Sequence, residues 1–284
     1  MPAIRATVLR PALELDGAHA GWLSSAEGGD AVGDVVMEAP EPGVQPKHLG
    51  TIHYEDIVVT FDRGMSGAFW SALQSVLRGE TPRHSGAIIG YDPNFAERER
   101  LEFRDALITE ISFPALDASS KDAARMTVTF APDHTRRSAG SGTKIPAPPA
   151  GKQKGFTQAS FRLSIDGLDA ATTKVSKVAA LTVGAGPADL EIPDLVFSLP
   201  RSAAGPLEKW HDEFVVSGNQ QERTGSIDLL AADMNEVLLR VELSGLGIFK
   251  LAYDRIGTAE EQVANATASL YCEQIALASF PATT

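Results

Sequence analysis

The chain of 284 residues is 43% hydrophobic and 22% charged, a composition that is typical of folded proteins and excludes a wholly disordered one. No apolar run approaches the ~18 residues that cross a bilayer, and residues 1–10 lack the basic start and apolar core of a signal peptide. We therefore expect the protein to stay in the cytoplasm, and its formal net charge of −12 disfavours binding to a phosphate backbone.

Short alternating or β-branched runs dominate the first half of the chain. They lie at residues 12–15, 57–61, 87–90, 101–104 and 127–130 and predict strands. Asp16-Gly17 predicts a hairpin turn after the first of them. Residues 28–50 are rich in Gly, Pro and Glu and have little periodicity, so they predict a projecting arm.

One helix is predicted between the second and third strands. Phe69, Leu73, Val76 and Leu77 follow the spacing of a helix that buries one face, and Gly79 lies where a left-handed C-terminal cap is common. The fold class expected for this half is an antiparallel β-barrel or sandwich with one flanking α-helix.

Residues 134–155 separate the two halves of the chain. The stretch is rich in Gly, Pro and Ser and has no periodic apolar pattern, which predicts an exposed linker between domains at 1–133 and 156–284. Both flanking halves are acidic, which would suit a conduit through which nucleic acid or another acidic cargo slides without binding. The linker contains five basic residues and no acidic one: Arg136, Arg137, Lys144, Lys152 and Lys154.

The second half repeats the first in the order of its motifs. Leu13-Glu-Leu-Asp-Gly17 corresponds to Leu163-Ser-Ile-Asp-Gly167, and residues 56–61 correspond to 194–199. A tryptophan-centred amphipathic stretch follows in each half, and each half closes on a strand-like run, at 126–130 and 266–271. This shared order predicts two tandem copies of one β domain, of which the second has lost most of the arm.

Trp70 and Trp210 are the paired tryptophans of the two helical stretches. Two interpretations remain open for them, packing against the sheet in the core and exposure as anchors for a partner, and the equivalent positions favour the core. Asp166-Gly167 predicts a second hairpin turn at the position of Asp16-Gly17.

Neither the glycine-rich stretches nor the single cysteine matches a catalytic or nucleotide-binding motif. The stretch from Ala139 to Lys144 lacks the spacing of a phosphate-binding loop, and the glycines at Gly184 and Gly186 are not followed by the third glycine of a dinucleotide site. The single cysteine, Cys272, excludes an intramolecular disulfide, and its strand-like surroundings favour a small buried hydrophobe over a nucleophile.

Two histidines are candidate metal ligands. His48 and His53 lie near Asp56, but no fourth candidate ligand is nearby, so surface histidines are favoured. We therefore predict no catalytic residue, no metal ligand and no cofactor, although a triad assembled by the fold would escape a search of the sequence.

The order of these motifs resembles that of the tail-tube family, which comprises the tube proteins of phage tails and contractile injection systems. The resemblance covers nearly all of both halves and omits the linker. It implies a β-barrel-like sandwich with a flanking helix, stacked hexameric rings around a channel, and an arm that contacts the neighbouring ring. Two departures are the second domain and its reduced arm. The residues that carry the resemblance include Leu13 to Gly17, Trp70 and Gly86 in the first half, and Phe161 to Gly167, Trp210 and Gly225 to Leu230 in the second.

The leading hypothesis is a non-enzymatic tail-tube subunit whose two domains complete a pseudo-hexameric ring from three chains. Expected partners are other copies of the chain, tail sheath or baseplate proteins, and DNA or protein cargo in transit, with no membrane partner. The expected location is the tail of a virion or phage-like particle assembled in the host cytoplasm. Alternatives are a trimeric hub that joins the tube to the spike or tail terminus, an enzyme with an unrecognised site, and a carbohydrate- or protein-binding module.

Overall fold

The computed structural model describes residues 9–38, 46–145, 155–186, 189–254 and 264–279. The chain is mainly β, as predicted, with 56% of residues in strands and 12% in helices. The strands of the first half are Arg10–Leu15 (β1), Ala18–Trp22 (β2), Ser25–Gly28 (β3), Ala31–Met37 (β4), Lys47–Tyr54 (β5), Ile57–Phe61 (β6), Arg83–Tyr91 (β7), Glu97–Phe113 (β8), Leu116–Asp117 (β9), Met126–Ala131 (β10) and His134–Ala139 (β11). Those of the second half are Phe161–Ile165 (β12), Lys177–Val178 (β13), Leu181–Ala185 (β14), Leu190–Glu191 (β15), Leu195–Pro200 (β16), Arg223–Leu230 (β17), Val237–Tyr253 (β18), Asn265–Tyr271 (β19) and Gln274–Ser279 (β20).

The helices are short. They are Gly67–Leu77 (α1), Asp169–Thr172 (α2) and Gly205–His211 (α3), with a 3₁₀ turn at Arg201–Ala203 before α3 and a π-helical turn at Asp212–Val216 after it. The second half therefore has one more helix, α2, than the single flanking helix that was predicted. Within the described ranges, no helix has the length and apolarity needed to span a membrane.

The chain forms two compact units that do not coincide with the predicted domains. The first unit comprises Met1–Phe61, Thr81–Thr109 and Val128–Ala150, and the second comprises Asp62–Glu80, Glu110–Thr127 and Gly151–Thr284. Helix α1 and the end of β8 thus belong to the second unit although they come from the first half of the sequence.

The sheet of the first unit is nearly closed and barrel-like, with the strand order β2-β1-β7-β8-β10-β6-β3 and with β11 added to β8. Strand β6 alternates buried and partly buried residues, so its apolar side chains face the core. The rings of Phe103 and Phe130 pack in this core with their centroids 5.6 Å apart. Asp16 and Gly17 both have positive φ and connect β1 to β2 in a two-residue turn, as predicted.

The main sheet of the second unit has the order β12-β17-β18-β19-β16-β13-β9, with β20 added to β18. Helix α1 belongs to this unit: the side chain of Gln74 donates a hydrogen bond to the carbonyl of Leu277 in β20. The Ser66 hydroxyl caps the start of α1, and Gly79, with φ +79°, follows its end as predicted. Asp166-Gly167 does not form the predicted hairpin, because the chain continues into α2 instead of a strand.

Strand pairings of the first half recur in the second half with the same register. β1 pairs with β7 so that Leu15 lies opposite Gly86, and β12 pairs with β17 so that Ile165 lies opposite Gly225. Further matched pairs are Gly86–Phe103 (β7–β8) with Gly225–Leu243 (β17–β18), and His134–Arg104 (β11–β8) with Gln274–Ser244 (β20–β18). The motifs that repeat in the sequence therefore lie on strands with the same neighbours. We call the two halves the first and second repeats.

The paired tryptophans are both buried, as the core interpretation predicted. Trp70 lies on α1 and Trp210 on α3, and both side chains are almost fully covered. The ring of Trp210 packs edge-on against Phe214, and the guanidinium of Arg223 lies over it, 5.0 Å from the ring centroid. The two helical stretches thus use their tryptophans to pack against their surroundings.

The start of the predicted linker is a strand. Residues 134–139 form strand β11, which pairs antiparallel with β8, so Arg136 and Arg137 lie in a sheet. Residues 146–154, with Lys152 and Lys154, lie outside the described residues. A charged edge strand with one buried side chain, Thr135, has no apolar alternation that would distinguish it from a loop.

Candidate interaction surface

The predicted arm at residues 28–50 contains a β-hairpin that extends beyond it to Tyr54. β4 and β5 pair antiparallel, with Ala31 opposite Tyr54 and Met37 opposite Lys47, and they form a sheet of two strands. We call the hairpin of β4 and β5 the arm. Residues 39–45, between its strands, lie outside the described residues.

The arm exposes large apolar side chains on a hairpin too thin to bury them. Val35 is 63% exposed and Leu49 66% exposed, and Val36, Met37 and Ile52 are exposed as well. A hairpin of two strands is marginally stable alone, and apolar patches that stay exposed mark contact surfaces. The arm is therefore our candidate interaction surface.

The root of the arm is fixed to β11. The guanidinium of Arg137 donates to the carboxylate of Asp30 at 2.9 Å and to the carbonyl of Gly28, and the hydroxyl of Thr135 donates to the carbonyl of Gly29 at 2.7 Å. The ring of Tyr54 packs edge-on against His134 at 4.8 Å. These contacts give the start of the supposed linker a structural role that the sequence did not reveal.

The second repeat has a much shorter hairpin in the corresponding place. β14 pairs with β15 through Gly184 opposite Glu191 and Ala185 opposite Leu190. We call this hairpin the short arm. Its strand β14 also pairs, along its other edge, with the end of β8, where Leu181 lies opposite Phe113.

Beside the short arm, β13 pairs with β9 and adds an ion pair. The ammonium of Lys177 lies 2.9 Å from the carboxylate of Asp117. Hydrogen bonds from Ser119 and from Lys177 lower the pKa of Asp117 to about 2. The end of the first repeat is thus joined to the start of the second by backbone pairing and by charge.

The histidines considered as metal ligands lie on the arm. His48 pairs with Glu38 at 3.2 Å and His53 with Asp34 at 3.6 Å, and all four side chains are more than half exposed. Among the described residues, no group of three or more His, Cys, Asp or Glu side chains is arranged to hold a metal ion. Both histidines therefore belong to the surface of the arm.

The remaining sequence signals lie apart from one another. Cys272 is buried in the connection between β19 and β20, just beyond the strand rather than in it, and burial raises the pKa of its thiol. Gly184 lies within β14, and Lys144 forms an isolated bridge with Ala96. Within the part of the chain that the structure describes, neither glycine-rich stretch leads from a strand into a helix, as a phosphate-binding loop does.

The first unit also contains an open cavity of about 580 Å³. Its apolar lining includes Ile57, Ile88 and Leu101, and its charged lining includes Glu27 and Arg137. Because Arg137 already holds the root of the arm, the cavity lies against the base of the candidate surface.

Comparisons with known proteins give structural likenesses at low identity. No protein-family model and no curated protein matches the sequence. The sheath–tube complex of an extracellular contractile injection system, PVC, in the extended state is 18% identical with a TM-score of 0.42, over 49% of this chain and 94% of that one. The tube-terminating cap of the anti-feeding prophage is 16% identical with a TM-score of 0.42, over 49% and 96%. A baseplate chain of that particle is 13% identical with a TM-score of 0.38, over 49% and 96%. Each matched chain is therefore spanned almost completely by about half of this one.

Proposed function

We propose that this protein is a non-enzymatic structural subunit of a phage or phage-like tail tube. In this proposal three chains close a pseudo-hexameric ring, each chain supplies two repeats, and stacked rings surround a channel for DNA or effector proteins. The observation that carries the proposal is the recurrence of the strand register from β1–β7 to β12–β17 and through the pairs that follow. Two equivalent β domains in one chain supply two equivalent positions in a ring.

The arm supports an assembled state. Its exposed apolar side chains need a partner that covers them, and in a tube this partner is another copy of the chain or a neighbouring ring. The formal net charge of −12 supports a channel role, because an acidic wall does not retain nucleic acid. On this proposal the protein belongs to the tail of a particle assembled in the host cytoplasm, with sheath or baseplate proteins around it.

A second candidate function is a trimeric hub between the tube and the baseplate spike or the tail terminus. It is favoured by the inequality of the two arms: β4 and β5 have seven and eight residues, whereas β15 has two. A ring of three chains would then present long arms with three-fold symmetry, which suits a junction with a three-fold partner.

Native mass spectrometry and electron microscopy of the purified protein test the assembly. The expected result is a ring of three chains with an approximately six-fold outline, alone or stacked. Six chains in one ring would refute the pseudo-hexamer, and a monomer under all conditions would refute a tube role altogether. Abundance separates the two candidates: a tube subunit dominates purified particles, whereas a hub is scarce.

A further inference from the structure

We infer that the arm pairs, strand to strand, with the end of β18 in a second copy of this chain, and that the chain already contains the template for this contact. The inference deepens the proposed function, on which it rests only in that copies of the chain meet. Its basis is the short arm, whose strand β14 pairs with the end of β8.

The arm and the short arm occupy equivalent places in their repeats. β3 pairs with β6 so that Ala26 lies opposite Val59, and β13 pairs with β16 so that Val178 lies opposite Phe197. In each repeat, the strand that follows next, β4 or β14, begins a hairpin. With Ala26 aligned to Val178, Ala31 in β4 corresponds to Val183 in β14.

The strands with which the hairpins pair are equivalent too: β8 for the short arm and, in the inferred contact, β18 for the arm. β8 and β18 are both 17 residues long and share their register with the strands before and after them. Residues 110–113, which pair with β14, therefore correspond to residues 250–253. β17 ends its pairing with β18 at Leu246, and within the described residues no strand lies beyond it on that side of residues 250–253.

Side chains at the end of β8 are more buried than those at the end of β18, as expected if the end of β18 lacks the neighbouring strand that β8 has. Ile111 and Phe113 are buried. Their counterparts are Leu251, which is only partly buried, and Tyr253, which is 39% exposed. Phe249, two residues before Leu251, is also exposed.

The backbone groups of both strands point in the directions that pairing needs. Glu55 donates its N–H to the carbonyl of Asp30, so in the alternating ladder the N–H and C=O of Ala31 point away from β5. Asp254 donates its N–H to the carbonyl of Asn265, so by the same alternation the N–H and C=O of Leu251 point away from β19. Ala31 and Leu251 are thus free to exchange two hydrogen bonds, as Val183 and Ile111 are placed to do within the chain.

Charge is complementary at the neighbouring position. In this register Lys250 lies opposite Val32, and its diagonal neighbours on the arm are Asp30 and Asp34. The position equivalent to Lys250 in the first repeat is Glu110, which lies opposite Gly184. An ammonium between two carboxylates therefore favours the arm over the short arm as the occupant of this edge.

Cross-linking between copies tests the register. Val32 and Lys250 form a non-hydrogen-bonded pair in this alignment, and the Cα separation of about 4.5 Å in such pairs suits a disulfide. One protein carries Val32→Cys and the other Lys250→Cys, both with Cys272→Ser, and the mixture is oxidised mildly and separated without reductant. The expected product is a covalent dimer of the two chains. The matched control replaces Val32→Cys by Val36→Cys on the same arm, about 13 Å along the strand, and is expected to give at least tenfold less dimer.

The cross-link also separates this inference from the proposed function. Assembly seen by electron microscopy without the Val32–Lys250 dimer, or with as much dimer in the control, would overturn the arm pairing alone. A chain that stays monomeric would overturn both.

A second variant removes the hydrogen-bond donor: Ala31→Pro is expected to weaken assembly about tenfold or more, whereas Ala31→Ser is expected to leave it within twofold. Unchanged assembly of Ala31→Pro would likewise overturn the pairing.

Discussion

The paired charges of Asp228 and Arg240 should contribute strongly to the stability of the second unit. They lie opposite each other on β17 and β18, and the guanidinium donates two hydrogen bonds to the carboxylate, at 2.7 and 2.8 Å. The side chain of Asp228 is 1% exposed, and Arg162 approaches it only to 4.0 Å. Arg240→Met would therefore leave a buried carboxylate without its main partner. We expect a loss of about 3 kcal/mol in the free energy of unfolding, at the lower end for buried pairs because Arg240 is 40% exposed.

Urea unfolding followed by tryptophan fluorescence measures this loss, because Trp210 lies in the same unit. The double variant Asp228→Leu with Arg240→Met should be more stable than Arg240→Met, since it removes the buried charge together with its partner. Arg78→Met is the control, because the pair of Arg78 with Glu80 is half-exposed and should contribute nothing measurable. A single variant within about 0.5 kcal/mol of the wild type would refute the reasoning.

Three further predictions concern acid sensitivity, proteolysis and exchange. Hydrogen bonds from Ser119 and Lys177 lower the pKa of Asp117 to about 2, so the ionised carboxylate stabilises the folded protein fully above the unfolded pKa near 4, and this stabilisation is lost as the pH falls towards 2. Asp117→Asn should remove this part of the pH dependence of the free energy of unfolding. If urea unfolding gave the same pH dependence for the variant and the wild type, the prediction would be contradicted. Trypsin should cut at Lys152 before Arg137, because Arg137 lies in β11, and mass spectrometry of the first fragments would show the reverse order if β11 opened readily. Amide exchange in β4 should be fast in a monomer and slow on assembly, so strong protection in the monomer would count against a partner-dependent arm.

Local patterns in the sequence predicted the elements whose burial is periodic. Helix α1 follows from the spacing of Phe69 and Leu73 and from Gly79 at its end, and β6 follows from its alternation. The full lengths of β8 and β18 did not follow, because charged residues and turn formers interrupt their apolar patterns. The grouping of α1 with the second unit depends on contacts between distant segments, such as Gln74 with Leu277, which no local pattern records.

The sequence predicted an arm at residues 28–50 but not that this segment contains a hairpin. Val35, Val36 and Met37 are consecutive and exposed, so the arm lacks the alternation by which a half-buried strand is recognised. Its root was hidden for a related reason: Thr135 and Arg137 bond to a segment more than a hundred residues earlier. The pairing of β14 with β8 joins strands from the two halves of the chain, and its register is set by contacts that no local sequence pattern records.

The two repeats share the register of their strands but differ in many side chains, and this gives the chain a chemical freedom that a single repeat lacks. A ring built from identical single domains must carry the same charge at every equivalent position. Here an acid, Glu110, and a base, Lys250, hold equivalent places on β8 and β18. In the proposed ring of three chains, the two kinds of position would alternate around the circumference. A partner with three-fold symmetry would then contact one kind of position and not the other, and a substitution in one repeat would change only every second site.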